Sequence, residues 1–135
     1  MGDPAIFLTG TGTGVGKTVA GCALALRWAS EGRGPRVFKP AESGCESKGD
    51  SLYPADAAAL KAAAGDVRPL DEICPYRYAL PMAPAHAAEE EGNPPDIAKI
   101  EDAISEIREA VSRVTDFPPE VTSAPRVIEI KTSEI

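Results

Sequence analysis

The residues with most chemical potential form one unbroken run, Gly10-Thr11-Gly12-Thr13-Gly14-Val15-Gly16-Lys17-Thr18. Glycines let a backbone curl until several N–H groups point inward. A lysine can bridge the outer phosphates of a nucleotide, and a hydroxyl beside it can ligate Mg²⁺. Such a cradle works at the start of a helix, where unpaired amides and the helix dipole favour an anion. The strict pattern G-x4-G-K-[ST] requires glycine at position 11, which is Thr11, so the match is a one-residue-longer G-x5-G-K-T counted from Gly10. The plainer alternative is a Gly/Thr turn that merely joins a strand to a helix. The strand before it and the Lys-Thr pair after it favour the cradle.

A second group follows in Lys39-Pro40-Ala41-Glu42-Ser43-Gly44, with Asp56 beyond it. Lys17 and Lys39 each sit in a weakly charged stretch and are the candidates for a local basic site. Each residue has an ordinary alternative. Lys39 at a strand end is commonly a solvated charge, Ser43 a loop hydroxyl, and Asp56 a helix N-cap.

The elements that must position these groups can be read from punctuation and periodicity. Ala5 to Leu8 is a short apolar run ending in the Gly/Thr turn, as a buried parallel strand would. From Lys17 to about Ser30 a helix is expected, with Val19, Cys22, Ala23, Leu26 and Trp28 near helical spacing and Gly32 and Gly34 ending it. Arg36 to Lys39 reads as a strand stopped by Pro40, followed by a loop to Asp50. Asp56 to Ala64 is a short helix closing on Gly65. Ile73 to Pro84 reads as extended and irregular, and Ala85 to Glu91 as a helical turn or two. Asp96 to Val114 puts Ile97, Ile100, Ala103, Ile104, Ile107 and Val111 on one stripe of a long amphipathic helix. Thr115 to Pro125 reads as loop and Arg126 to Lys131 as a last strand. The order implies an α/β fold, a P-loop NTPase-like parallel sheet flanked by helices. Three strands make a small sheet for that architecture.

Bulk properties agree with one soluble domain. The chain has 135 residues, with 43% hydrophobic and 26% charged, an ordinary globular balance. A formal net charge of -7 opposes a general nucleic-acid or membrane-surface role, since phosphate backbones and anionic lipids select basic faces. Cys22, Cys45 and Cys74 are widely spaced and form no paired motif, so neither a disulfide framework nor a zinc knuckle is indicated and a reducing cytoplasm fits. The start of the chain lacks a signal-peptide pattern, and no segment approaches membrane-spanning length.

Taken together, these segments resemble dethiobiotin synthetase, the ATP-dependent cyclo-ligase of biotin synthesis, whose loop has the longer G-T-x-T-x-V-G-K-T form. Lys39 to Gly44 resembles the family's K-P-[VA]-x-S-G, Asp56-Ala57-Ala58-Ala59-Leu60 its D-A-x-x-L, and Pro75-Tyr76-Arg77-Tyr78 with Pro81 to Glu89 its P-Y-x-[FY] and proline-rich stretch. The likeness runs over about the first 110 residues. It implies conversion of 7,8-diaminopelargonic acid, CO2 and Mg-ATP to dethiobiotin, ADP and phosphate. A carbamate on one substrate amine takes the γ-phosphoryl group, and the second amine closes the ring. Cationic groups that stabilise the transferring phosphoryl oxygens matter most for such a step. By this resemblance Gly14, Val15, Gly16, Lys17, Thr18, Val19 and Asp56 bind ATP, Thr18 and Asp56 hold Mg²⁺, Ser43 contacts the substrate, and Lys39 is catalytic. The resemblance also implies a homodimer with its active site near the subunit interface. His86 stands one place later than the histidine usual in the family and is read as structural.

The departures are specific. Position 12, usually aspartate in the family, is Gly12. The family's V-E-G-A-G-G segment, whose glutamate completes the metal site, has only Val127-Ile128-Glu129-Ile130 as a counterpart. Residues 1–114 therefore read as a P-loop domain and 115–135 as a divergent segment, as truncation or a shifted reading frame would produce. Uncovered apolar strand faces and low stability are expected. Two other readings stand beside the ligase: another P-loop ATPase, and a nucleotide-binding fragment without catalysis.

Overall fold

The structure is a computed structural model that describes residues 5–10, 12, 14–112 and 127–130. Its centre is a three-stranded sheet in the order β1-β7-β2, formed by β1 (Ala5–Leu8), β2 (Arg36–Phe38) and β7 (Val127–Ile130). All pairings are parallel, with Ala5 opposite Val127 and Leu8 opposite Ile130 on one side, and Val37 opposite Ile128 on the other. The expected last strand is thus the middle of the sheet. The expected loop from Thr115 to Pro125, and Arg126 and Lys131 at the ends of that strand, lie outside the described residues.

Helices cover the sheet from two sides because successive strand residues face opposite ways. Val37 packs with Ala25 and Trp28 of α1 (Lys17–Ser30), Ala57, Leu60 and Ala64 of α2 (Ala55–Ala64), and Ile73 and Cys74. Its neighbour Phe38 packs instead against Ile100, Ala103, Ile104 and Ile107 of α5 (Ile97–Ser112). The expected bare faces are therefore largely covered at β2, while Phe7 of β1 remains half exposed.

The buried face of α1 differs from the expected stripe. Gly21, Ala25 and Trp28 are buried, whereas Val19 and Leu26 are exposed. Ala25 packs with Ala57, Leu60 and Ala64 of the alanine-rich α2, where close packing favours small over large side chains. On α5 the inner residues fall where the periodicity places them, except that Ile97 is exposed; the side chain of Val111 lies outside the described residues.

Two stretches expected to be irregular contain short paired strands. β3 (Ala41–Glu42) runs parallel to β6 (Tyr76–Arg77), and β4 (Glu46–Lys48) pairs antiparallel with β5 (Ser51–Tyr53). Bonds from Tyr78 N to Glu42 O (2.9 Å), Cys45 N to Tyr78 O (2.9 Å) and Gly44 N to Leu80 O (3.0 Å) continue the first pairing. This ladder fixes the course of Lys39 to Gly44. Behind it, Tyr78 is fully buried with Ala87 and Ala88 of α4 (Pro84–Glu90), and its hydroxyl donates to Asn93 O at 2.9 Å. A single helical turn, α3 (Leu70–Ile73), precedes β6. His86 is exposed on α4, which places it outside the core.

Cys22, Cys45 and Cys74 are free thiols. Burial, with the nearby Glu42 charge, pushes the Cys74 thiol up to about 12, so it is protonated and chemically quiet. Among the described residues no helix is long and apolar enough to cross a membrane.

Candidate functional site

The Gly-rich run lies between the end of β1 and the start of α1. Gly14 (φ 72°) and Gly16 (φ 97°) have left-handed backbones, which a side chain would strain. Gly16 is the N-cap of α1 and, as a glycine, offers no side chain of its own to cap that helix end. Its first-turn amides therefore need a partner from outside the helix, the property that suits such a turn to phosphate. Gly10 is required for another reason. A Cβ there would lie 2.8 Å from Val15 Cγ2 and 3.2 Å from Lys17 Cγ and Cδ, so the side chain would compete with the lysine for the same space. Lys17 opens the helix and its ammonium group donates to Gly12 O.

The groups that sequence reasoning had singled out converge on one carboxylate oxygen. Asp56 Oδ2 accepts the Thr18 hydroxyl at 2.9 Å and lies 2.5 Å from Lys39 Nζ. Lys39 stands one residue past β2 and is held by its own amide, which donates to Ile73 O at 2.9 Å. It is only 6% exposed, so the reading of a solvated strand-end charge is set aside. Nor is Asp56 the N-cap of α2. That position is Pro54, and Asp56 lies inside the first turn. Burial pushes the Asp56 carboxyl up; the hydrogen bond and charge of Lys39, the Thr18 hydroxyl and the Lys17 charge outweigh it, and the net direction is down.

Sequence reasoning missed Glu42. It is buried, and its two oxygens accept the amides of Asp56 (2.9 Å) and Ala57 (3.0 Å), capping α2 from another element. Its Oε2 also lies 3.7 Å from Lys39 Nζ. The signal available was a charged residue placed between Ala41 and Ser43 beside a buried strand end, which no spacing rule distinguishes from a solvated loop charge.

The remaining expected residues lie nearby without joining this cluster. Ser43 is half-buried after β3, and no hydrogen bond ties it to Lys39 or Asp56 among the described residues. Val15 and Val19 are exposed on the loop and the first turn of α1.

The donor set fits part of a Mg²⁺ site. A hydroxyl and a carboxylate in contact are hard oxygen donors of the kind Mg²⁺ takes, usually beside water and substrate phosphate oxygens. No group of three His, Cys, Asp or Glu suited to a metal occurs among the described residues, so an all-protein cage is not what this region offers. Glu42 is committed to α2, and the side chain of Glu129 lies outside the described residues.

Comparison with known proteins gives a consistent picture. The profile of the family described as "AAA domain" matches residues 4–114. The ATP-dependent dethiobiotin synthetase of Anaeromyxobacter dehalogenans (strain 2CP-C) is 45% identical over 98 residues, covering 73% of this chain and 42% of that protein. The enzyme of that name from Rhodopirellula baltica is 37% identical over 100 residues, covering 73% and 39% respectively. That from Serratia marcescens is 37% identical over 103 residues, covering 76% and 45%. The chain spans less than half the length of these curated relatives. By a match over most of its own length it belongs to the AAA domain family, and the relatives it resembles there are dethiobiotin synthetases.

Proposed function

We propose that the chain carries the ATP-binding and phosphoryl-transfer part of a dethiobiotin synthase, an ATP-dependent carbon–nitrogen cyclo-ligase that acts on 7,8-diaminopelargonic acid and CO2. The observation that carries this reading is the single oxygen, Asp56 Oδ2, held by both Thr18 and Lys39 beside the first turn of a helix that has a glycine N-cap and follows the Gly-rich turn. The names of the relatives support it.

In this reading Gly14 to Val19 receive the nucleotide phosphates on backbone amides and Lys17. Thr18 and Asp56 hold Mg²⁺, which neutralises charge on the phosphate oxygens when bound. Lys39, whose amide donates to the Ile73 carbonyl and whose ammonium group lies beside the Asp56 and Glu42 carboxylates, is in this reading the cation that meets the carbamate. One substrate amine adds to CO2 and loses a proton to give the carbamate. The carbamate oxygen takes the γ-phosphoryl group as the bond to ADP breaks. The second amine then attacks the carbonyl carbon, phosphate leaves, and the ureido ring is closed. Lys39 stabilises the oxygens that carry charge through the transfer, and Ser43 orients the substrate from the adjoining loop.

We assign residues 1–114 to this P-loop domain and 115–135 to a segment that departs from the family pattern. A homodimer and a cytoplasmic setting belong to the same proposal. The test is ADP release by the purified chain with and without the diamine and bicarbonate. Release that needs both, and that falls roughly 10²–10³-fold in Lys39→Ala, supports the proposal; release indifferent to the diamine overturns the ligase assignment. Nucleotide binding with no turnover would favour the second reading, a nucleotide-binding fragment without catalysis.

A further inference from the structure

We propose that Glu42 is a positioning residue that holds Lys39 and Asp56 in register and remains as the counter-charge of Lys39 when Asp56 turns to a cation. The inference rests on the site reading above, but its structural half concerns only this chain's own residues.

Among the described residues, Lys39 has two carboxylate neighbours of different character. Asp56 is close, at 2.5 Å, and its side chain is 46% exposed. Glu42 is farther, at 3.7 Å, and its side chain is 8% exposed. The oxygen that Lys39 shares with Thr18 is the one placed to meet a cation, so a cation there competes with Lys39 for Asp56. A buried ammonium group without a partner is strongly disfavoured. Glu42 removes that obstacle, because both its oxygens are pinned by the Asp56 and Ala57 amides and it stays beside Lys39 whatever Asp56 does. The same two bonds tie β3 to the first turn of α2. One side chain therefore sets the position of the lysine's loop relative to the residue that carries the metal-facing carboxylate. A helix cap alone has no need of a lysine at its back.

Two measurements on the full chain test this. The first is a double-mutant cycle without ligand, in which Glu42→Gln, Lys39→Met and the double variant are unfolded in urea. Coupling predicts a midpoint shift for the double variant clearly smaller than the sum of the single shifts. A shift equal to the sum would make Glu42 a helix cap only and overturn the proposal. The second is calorimetry of ATP binding with MgCl2 and with EDTA. In Glu42→Gln the gain in affinity from Mg²⁺ is expected to fall at least fivefold, with metal-free binding changed less than about twofold, whereas a purely structural role would weaken both alike. An unchanged Mg²⁺ gain in a chain that binds Mg-ATP also overturns the proposal. If the wild-type chain binds no nucleotide while the cycle shows coupling, the nucleotide reading fails and the positioning role stands. Glu42→Asp, measured in the same way, replaces Glu42→Gln if the latter does not fold.

Discussion

Lys39 and Asp56 form an ion pair of 2.5 Å across the gap between the end of β2 and the first turn of α2, one partner buried and the other half exposed. The asymmetry has a direct consequence for stability. Among the described residues, Asp56→Ala leaves Lys39 with only the more distant Glu42. Breaking a fully buried pair costs about 3–5 kcal/mol, but the exposure of Asp56 screens part of that, and we expect a loss of about 1–2 kcal/mol. Urea unfolding measures it. A loss below a few tenths of a kcal/mol would mean that the pair is not formed in solution.

A second carboxylate contributes to the acid dependence of stability. Asp66 accepts the Val37 amide at 3.2 Å and pairs with Arg68 at 2.6 Å, while Arg68 Nη2 donates to Val37 O at 2.5 Å. The two side chains thereby satisfy the backbone of β2 on the side away from β7. Burial pushes the Asp66 carboxyl up, but the Arg68 hydrogen bond and charge and the Arg68 and Val37 amides outweigh it, holding it below the usual carboxylate range. A folded-state value below the unfolded one means that protons bind the unfolded chain more tightly. The stabilisation is complete above the unfolded value of about 3.9 and is lost as pH falls through the folded one. Unfolding midpoints measured across that interval should decline for the wild type. Asp66→Ala should lose about 3 kcal/mol at neutral pH and show a shallower acid decline.

The extent to which sequence predicted these features follows from how local each one is. β1, α1 and α2 were legible because a strand former, a Gly-rich turn and a terminal glycine are adjacent in the chain; Gly65, at φ 65°, closes α2 where its left-handed freedom is needed. The inner stripe of α5 was legible through its periodicity. The β3–β6 and β4–β5 pairings were not, because strands of two or three residues carry no period and their partners are set by distant segments. The buried face of α1 was chosen by α2 rather than by the largest apolar residues. Of the candidate site, Lys39, Thr18 and Asp56 were expected from their motifs and the resemblance, but their meeting on one oxygen and the cap supplied by Glu42 are tertiary facts.

Gly10→Ala tests the geometry of the phosphate loop. Its Cβ would approach Val15 Cγ2 to 2.8 Å, inside van der Waals contact, and would displace the stem of Lys17. Because the loop borders the main core rather than lying within it, the stability cost should stay near the low end of overpacking, about 1 kcal/mol. Nucleotide affinity, read by calorimetry, should fall about tenfold, the equivalent of about 1.4 kcal/mol. Equal affinity in the variant would remove Lys17 from the binding surface.

Gly12→Asp introduces the carboxylate that the resemblance to dethiobiotin synthetase leads one to expect at this position. A Cβ at Gly12 meets nothing within 4 Å, and the residue is absent from the positive-φ glycines, so neither clash nor backbone strain opposes the change. Lys17 already donates to the Gly12 carbonyl, so the new carboxylate would stand beside an ammonium group. In the ligand-free chain the added charge is partly exposed, and stability should change by no more than about 0.5 kcal/mol. With MgCl2 the carboxylate adds a hard oxygen donor where a cation is expected. The Mg²⁺-dependent gain in ATP affinity should therefore rise several-fold, while binding in EDTA should weaken because the nucleotide meets an additional negative charge. Calorimetry under the two conditions separates these opposite effects. If affinity falls equally with and without Mg²⁺, the carboxylate acts only as a repulsive charge, and position 12 does not face the cation.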